Sequence, residues 1–478
     1  MPPSPPVRST AAWHAGCAEA TAPARADQTR LPTAPAIATI RAGAPRRPFC
    51  RLRGAVLNAI AAAPRKAAVA FIFITVLIDV LSFGVIIPVL PHLIEQFAGG
   101  RTDVASYWIA LFGTSFSLIQ FVCTPIQGAL SDRFGRRPVI LLSCLGLGLD
   151  FILMALAPNL AWLFVGRVLA AITSASFTAA NAYIADVTPP ETRARSFGII
   201  GAAFGVGFVL GPIIGGWLGG INLRYPFWFA AGLALLNVAY GWFVLPESLP
   251  PERRTPRFDW SHANPLGALL LLRRHRQLFG LVAVIFIATL AHYVYPSIFV
   301  LFADYRYGWD ERDVAWVLAA VGMLSIVVNG ALVSRVVKHF GERRAVLIGL
   351  ACGMVGFAIY AVADAGWLFM VGLPISALWA LAGPATQALV TSRVGADEQG
   401  RIQGAISSLS SLAGVIGPVL FAGSFGWFVS DRAPVHLPGI PFYLAAALLL
   451  VGWCVAWRYA RASPTDHRPQ NDTQRATT

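Results

Sequence analysis

Apolar stretches of helical length recur along the chain at 67–91, 107–130, 138–157, 160–184, 196–219, 226–245, 278–303, 314–336, 344–363, 366–390, 402–425 and 440–460, separated by polar connections. An α-helix needs about 20 mostly apolar residues to cross a bilayer, so each stretch predicts one crossing. The longest polar interruption, 246–277, splits the twelve spans six and six. The expected fold is an all-α membrane protein of twelve transmembrane helices. It comprises a basic tail over 1–66, a first six-helix half over 67–245, a central loop over 246–277, a second half over 278–460 and a C-terminal tail over 461–478.

The two halves also share landmarks. Phe134-Gly135 and Phe340-Gly341 lie 206 residues apart, as do Arg195 and Arg401, and Gly211-Pro212 and Gly417-Pro418. One offset on three pairs of segments reads as an internal repeat. In transporters built from parallel repeats, substrate sits between the halves near the midplane while the halves rock about it.

Composition strengthens this reading. The 478 residues are 56% hydrophobic and 13% charged, with a mean hydropathy of +0.63, whereas soluble domains run about 45–50% apolar and about 25% charged. The net charge of +14 is a matter of topology. Alternate loops counted from the N-terminal tail hold 31 of the 37 basic residues, the opposite set holds five, and Arg167 falls within a span. Basic loops mark the cytoplasmic side, which predicts both termini there. Residues 1–66, rich in Pro, Ala and Arg, read as a disordered tail or an over-extended start. No folded basic domain is present to serve nucleic acid. The six cysteines form no CxxC pair and read as small membrane-buried hydrophobes.

The chain's two lysines, Lys66 and Lys338, fit no phosphate-binding GxxxxGK[ST] loop, and no HExxH or GxSxG motif suggests an enzyme. Chemistry is expected instead from ionisable groups inside spans, each costly in hydrocarbon. Asp79 lies in the first span, Asp150 in the third and Arg167 in the fourth. Two acids and a base on three helices suit proton coupling, with the arginine holding an acid ionised. Asn181, His292, Tyr293 and Gln387 are candidate cargo contacts beside Asp79, with Gln120, Tyr183, Asn237, Tyr295, Asn329 and Gln403 as softer polar positions. Pro88 and Pro91 are expected to end the first span, and Pro296 to interrupt the seventh.

Between the second and third spans runs Gly128-Ala-Leu-Ser-Asp132-Arg133-Phe-Gly135-Arg136-Arg137-Pro138, with a degenerate copy at 334–343. It resembles the GxLxDRxGRR loop of the major facilitator superfamily. In physical terms Gly128 permits close helix approach, Asp132 can sit at a neighbouring helix N-terminus, and the arginines can pair with acids as a cytoplasmic gate closes. The fifth span, with Gly201, Gly205, Gly211, Pro212, Gly215 and Gly216, resembles the helix motif of that superfamily's drug/proton antiporters, and Gly166-Arg167 is similar to its proton-transfer motif.

Within that group the chain is similar to tetracycline-resistance exporters over roughly 67–460. Asp79-Val-Leu-Ser-Phe-Gly-Val-Ile-Ile-Pro88, FGVGFVLGPIIGG at 204–216 and VLFADYRYGW at 300–309 follow their pattern. Two positions depart from it: the family's ninth-span aspartate falls at Gly353 and its eighth-span histidine at Ser325. The resemblance implies a monomeric, multi-pass protein of the bacterial inner membrane. It would exchange protons for an amphiphilic drug, powered by the proton gradient, without cofactor, and with Mg²⁺ carried only as part of a chelated cargo. A transporter of an endogenous metabolite or siderophore on the same fold is the alternative; a non-transporting membrane receptor is the alternative from another class.

Overall fold

The computed structural model describes residues 70–174, 176–255, 276–394 and 399–460. These belong to one compact unit, Ala59–Thr478. Among the described residues the chain is all-helical, with eleven helical runs long and apolar enough to cross a membrane. One of them, Glu311–Val362, has 52 residues. At 1.5 Å per residue it is more than twice what an apolar layer of about 30 Å requires. It bends at Gly341, whose φ of 79° and ψ of 162° are non-helical. That bend makes two crossings of one run and brings the total to twelve.

The crossings are α1 (Ala70–Phe97), α2 (Thr102–Phe134), α3 (Arg136–Leu156), α4 (Leu160–Val187), α5 (Pro190–Gly219), α6 (Tyr225–Val244) and α7 (Leu278–Tyr307). The other five are α8 (311–340), α9 (342–362), α10 (Gly366–Thr391), α11 (Gln399–Val429) and α12 (Ile440–Tyr459). The internal repeat is visible in the backbone. Gly135 between α2 and α3 has φ 106° and ψ 162°, the same region as Gly341, its counterpart between α8 and α9. Only glycine reaches that region at small cost. The tails 1–66 and 461–478 and most of the central loop lie outside the described residues.

The interruption expected at Pro296 is present, whereas Pro88 and Pro91 do not end the first span. The first span continues past Pro88 and Pro91: a turn at 87–89 follows Gly84, and Pro91 then opens a further helix, Leu90–Phe97. Proline lacks an N–H only the first turn of a helix can spare, so Pro91 starts a helix rather than ending one. In α7 the break falls at Tyr293, three residues before Pro296. The proline ring cannot coexist with the carbonyl of the fourth residue before it, which is His292.

The halves meet through two helix pairs, α2 on α11 and α5 on α8. Contact is closest on the face opposite the basic loops. There Gly216 packs on Glu311 and Ala315, Gly220 on Arg312, Gly113 on Pro418, and Gly426 on Asp103 and Ser106. Toward the basic face the same helices part. A Cβ built on Gly128, Gly198, Gly201 or Gly404 would meet no atom within 4 Å. The two halves are joined at one end and open at the basic end.

Candidate functional site

Asp150 and Arg167, on neighbouring helices of the first half, are brought together. Arg167 Nη1 lies 3.5 Å from Asp150 Oδ2, with Asp150 fully buried and Arg167 12% exposed. Gly166 makes room for the acid: a Cβ there would stand 2.6 Å from Asp150 Oδ1. The guanidinium also rests 4.8 Å from the ring centroid of Phe116 on α2, tying the pair to a third helix. Among the described residues Asp150 Oδ1 has no hydrogen-bond partner. A buried carboxylate with one oxygen paired to arginine and the other unsatisfied is a charge held under tension, since removing either partner leaves the other uncompensated.

Asp79 sits in a different layer of the same half. It is half-buried on α1 and acts electrostatically on the Cys144 thiol of α3. Asn237 of α6 bridges this region, donating to the Thr75 carbonyl at 2.9 Å and to Cys144 Sγ at 3.6 Å.

The remaining candidates do not form one cluster. Asn181 and Gln387 are half-buried. His292 on α7 has its ring 5.8 Å from both Tyr295 and Trp379. Tyr293, at the α7 break, packs instead against Gly414 and Gly417 of α11, beside Ser117 of α2. It belongs to the seam between the halves.

The GxLxDRxGRR-like loop is built differently from the expectation. Asp132 Oδ1 pairs with Arg136 Nη1 at 2.5 Å, four residues on across the Gly135 bend, rather than capping a neighbouring helix. Arg136 Nε donates to Asp186 Oδ2 of α4 at 3.1 Å. The helix N-terminus in this loop, that of α3, is capped by Glu247, just beyond α6: the N–H groups of Arg136 and Arg137 donate to its Oε1 and Oε2 at 2.9 and 3.3 Å. The same carboxylate receives the N–H groups of Ser248 and Leu249 and lies 3.9 Å from Arg254 Nη2. A carboxylate at an N-terminus satisfies orphan donors and the positive end of the helix dipole. Arg137 donates to the Trp242 carbonyl, and Arg133 lies over the ring of Phe134. A Cβ built on Gly128 would meet no atom within 4 Å, so this glycine supports no close helix approach here. The acids that hold the loop, Asp186 and Glu247, were not singled out in the sequence. The available signal was Pro246-Glu247-Ser248, an acid standing in an otherwise basic connection.

The glycine-rich α5 has two working faces. Gly207 lies against the Val80 side chain of α1, and Gly211 and Gly215 meet the backbone of Gly84 and Val85, while Gly216 faces α8 of the other half. Gly201 and Gly205 are nearly free of neighbours. Among the described residues no group of three or more His, Cys, Asp or Glu side chains is arranged to hold a metal ion.

The family model of the Major Facilitator Superfamily matches residues 72–418. The chain belongs to the major facilitator superfamily. As a member it is a multi-pass membrane transporter of small molecules and not an enzyme. It is 37% identical over 380 residues to the tetracycline resistance protein, class C, of Escherichia coli, covering 79% of this chain and 93% of that protein. It is 29% identical over 378 residues to multidrug resistance protein 2 of Bacillus subtilis (strain 168), covering 78% and 90%. Among solved structures, the human organic anion transporter MFSD10 (TETRAN) superposes with a TM-score of 0.61 at 24% identity, covering 82% of this chain and 99% of that one. The nucleoside transporter NupG superposes with a TM-score of 0.67 at 11% identity, over 83% and 100%.

In this superfamily member the position that the resemblance assigns to a ninth-span aspartate is closed. A Cβ on Gly353 would stand 2.8 Å from Trp379 Cγ and 2.8 Å from Leu449 Cδ1. Trp379 in turn meets Phe357 edge-on at 5.5 Å and His292 at a tilt at 5.8 Å, so that place in the second half is aromatic.

Proposed function

We propose that the chain is a proton-coupled antiporter that exports an amphiphilic organic compound, tetracycline or a relative of it, across the bacterial inner membrane. The observation that carries this reading is its likeness, at 31–37% identity over about four fifths of its length, to tetracycline resistance proteins of six classes. In this reading the basic face is cytoplasmic, both termini lie there, and the conformation described is open to the cytoplasm. Asp150, paired with Arg167, and Asp79 are the acids available to a proton. Cargo enters between the halves from the basic end, and a single chain carries the whole path. A chelated Mg²⁺ travels with cargo rather than residing in the protein. With Gly353 walled off by Trp379, a carboxylate on α9 plays no part in binding such a chelate. The aromatic surface of Trp379, Tyr295 and His292 offers stacking to a flat ring system instead.

Proteoliposomes with an imposed pH gradient test the reading. Tetracycline with Mg²⁺, or another compound from a drug panel, is expected to collapse the gradient in wild type, and Asp79→Asn or Asp150→Asn to abolish that response. A folded, inserted protein that gives no proton flux with any compound would refute drug export for that panel and favour a metabolite as cargo.

A further inference from the structure

On the face where the halves are joined, His92 of α1 is enclosed by acids from three helices. Its Nδ1 lies 3.2 Å from Glu311 Oε1 at the start of α8, and its Nε2 lies 3.8 Å from Asp304 Oδ2 near the end of α7. Glu95, one turn along α1, accepts a hydrogen bond from Thr102 Oγ1 and feels the negative charge of Asp304. Among the described residues the cation acting on this group from outside is Arg312, which acts on Glu311. Arg306, on the helix of Asp304, is turned away to the Ala363 carbonyl at 3.4 Å.

The placement of Glu311 is fixed locally. Asp310 caps α8 by accepting the N–H groups of Arg312 and Asp313, both at 2.9 Å, in a capping box closed by Asp313. The Glu311 backbone is pressed against Gly216 of α5. His92 therefore belongs to the first half and both its carboxylate partners to the second. It is 9% exposed and Glu311 18%, while Asp304 at 40% keeps a route to solvent.

We infer that His92 is a proton-binding site that clasps the two halves together on the face opposite the basic loops. Imidazole is the side chain whose charge changes between about pH 5 and 8. Protonated, it is a cation placed between Glu311 and Asp304 and offsets their charge across the seam. Neutral, it leaves Glu95, Asp304 and Glu311 facing one another with one proton fewer among them, and like charges at these distances repel. Acid on that face holds the joined conformation, and loss of the proton releases it. The proton comes from and returns to one side of the membrane, so the clasp biases the rocking of the halves without itself moving charge across. It does not depend on the identity of the cargo or on antiport.

The test is conformational. In the full chain freed of its native cysteines, Ile221→Cys and Val435→Cys place spin labels on exposed loops of the two halves on the His92 face. Distances are measured by pulsed electron spin resonance in lipid nanodiscs at pH 5.5 and 8.5. The wild-type background is expected to show a short distance at pH 5.5 and a growing long-distance population at pH 8.5. One unit of pKa difference between the two states corresponds to about a tenfold change in their ratio. His92→Gln and, separately, Glu311→Gln are expected to flatten that response. A wild type that ignores pH, or a His92→Gln chain that responds as wild type does, overturns the clasp. Since no cargo or gradient is used, failure here is distinguishable from failure of the antiport reading.

Discussion

The Trp379 side chain occupies the space that any side chain at Gly353 would need, its Cγ standing 2.8 Å from where a Cβ would be. Introducing the carboxylate as Gly353→Asp is therefore expected to destabilise the protein by about 1–3 kcal/mol, the usual cost of overpacking. Combined with Trp379→Ala, the same change is expected to cost less than the two singles together, with a coupling of about 0.5–3 kcal/mol. Thermal melts of the purified single and double variants in detergent check this; strict additivity would contradict the packing argument.

The Asp150 and Arg167 pair predicts an asymmetry. Arg167→Gln strands a fully buried carboxylate, whereas Asp150→Asn leaves an arginine that still rests on Phe116 and is partly exposed. Breaking a buried pair from one side costs about 3–5 kcal/mol. The larger loss of thermal midpoint is thus expected for Arg167→Gln, with Asp150→Asn milder and the double variant better than Arg167→Gln alone. Equal midpoints for all three would mean that the pair is not compensating charge.

The twelve crossings were legible because hydrocarbon imposes length and apolarity on each helix independently of the rest of the chain. The repeat was legible too, and the shared backbone of Gly135 and Gly341 shows that its 206-residue offset is structural. Of the site, sequence yielded the intramembrane charges and the loop arginines. It did not yield the partners of the loop arginines or the acids around His92, because Glu247 lies 111 residues from Arg136 and Glu311 more than two hundred from His92. Nor did polarity within the seventh span show that Tyr293 turns to Gly414 and Gly417 of α11, at the seam between the halves.

The two equivalent glycines invite a direct comparison. Each occupies a backbone region that costs a non-glycine residue about 1–3 kcal/mol. At Gly135 a side chain would additionally collide with the Glu247 carboxylate, whereas at Gly341 it would meet open space. Gly135→Ala is expected to be the more damaging of the two, and to expose the arginines after it to trypsin by displacing the cap on α3. Glu247→Gln should share that protease sensitivity while leaving Gly341 unaffected. Limited proteolysis of the three variants, read by mass spectrometry, checks both expectations.

Glycines along α5 sort by neighbour rather than by motif. A Cβ on Gly215 would be driven into the Val85 carbonyl of α1, a backbone atom that cannot rotate away, while one on Gly201 would meet nothing in the present conformation. Gly215→Ala is therefore expected to prevent normal packing of α1 on α5 and to lower yield and thermal midpoint sharply. Gly201→Ala should leave the midpoint within about 0.5 kcal/mol of wild type, the range typical of substitutions free of contacts. Gly201 lies near the end of α5 where the halves are parted, so its small size matters only once they close there. A Gly201→Trp chain is expected to fold normally but to be held in the conformation open at the basic end. Accessibility of a cysteine placed near that end to a thiol reagent reports this. Unimpeded closure of Gly201→Trp would show that the two halves meet elsewhere.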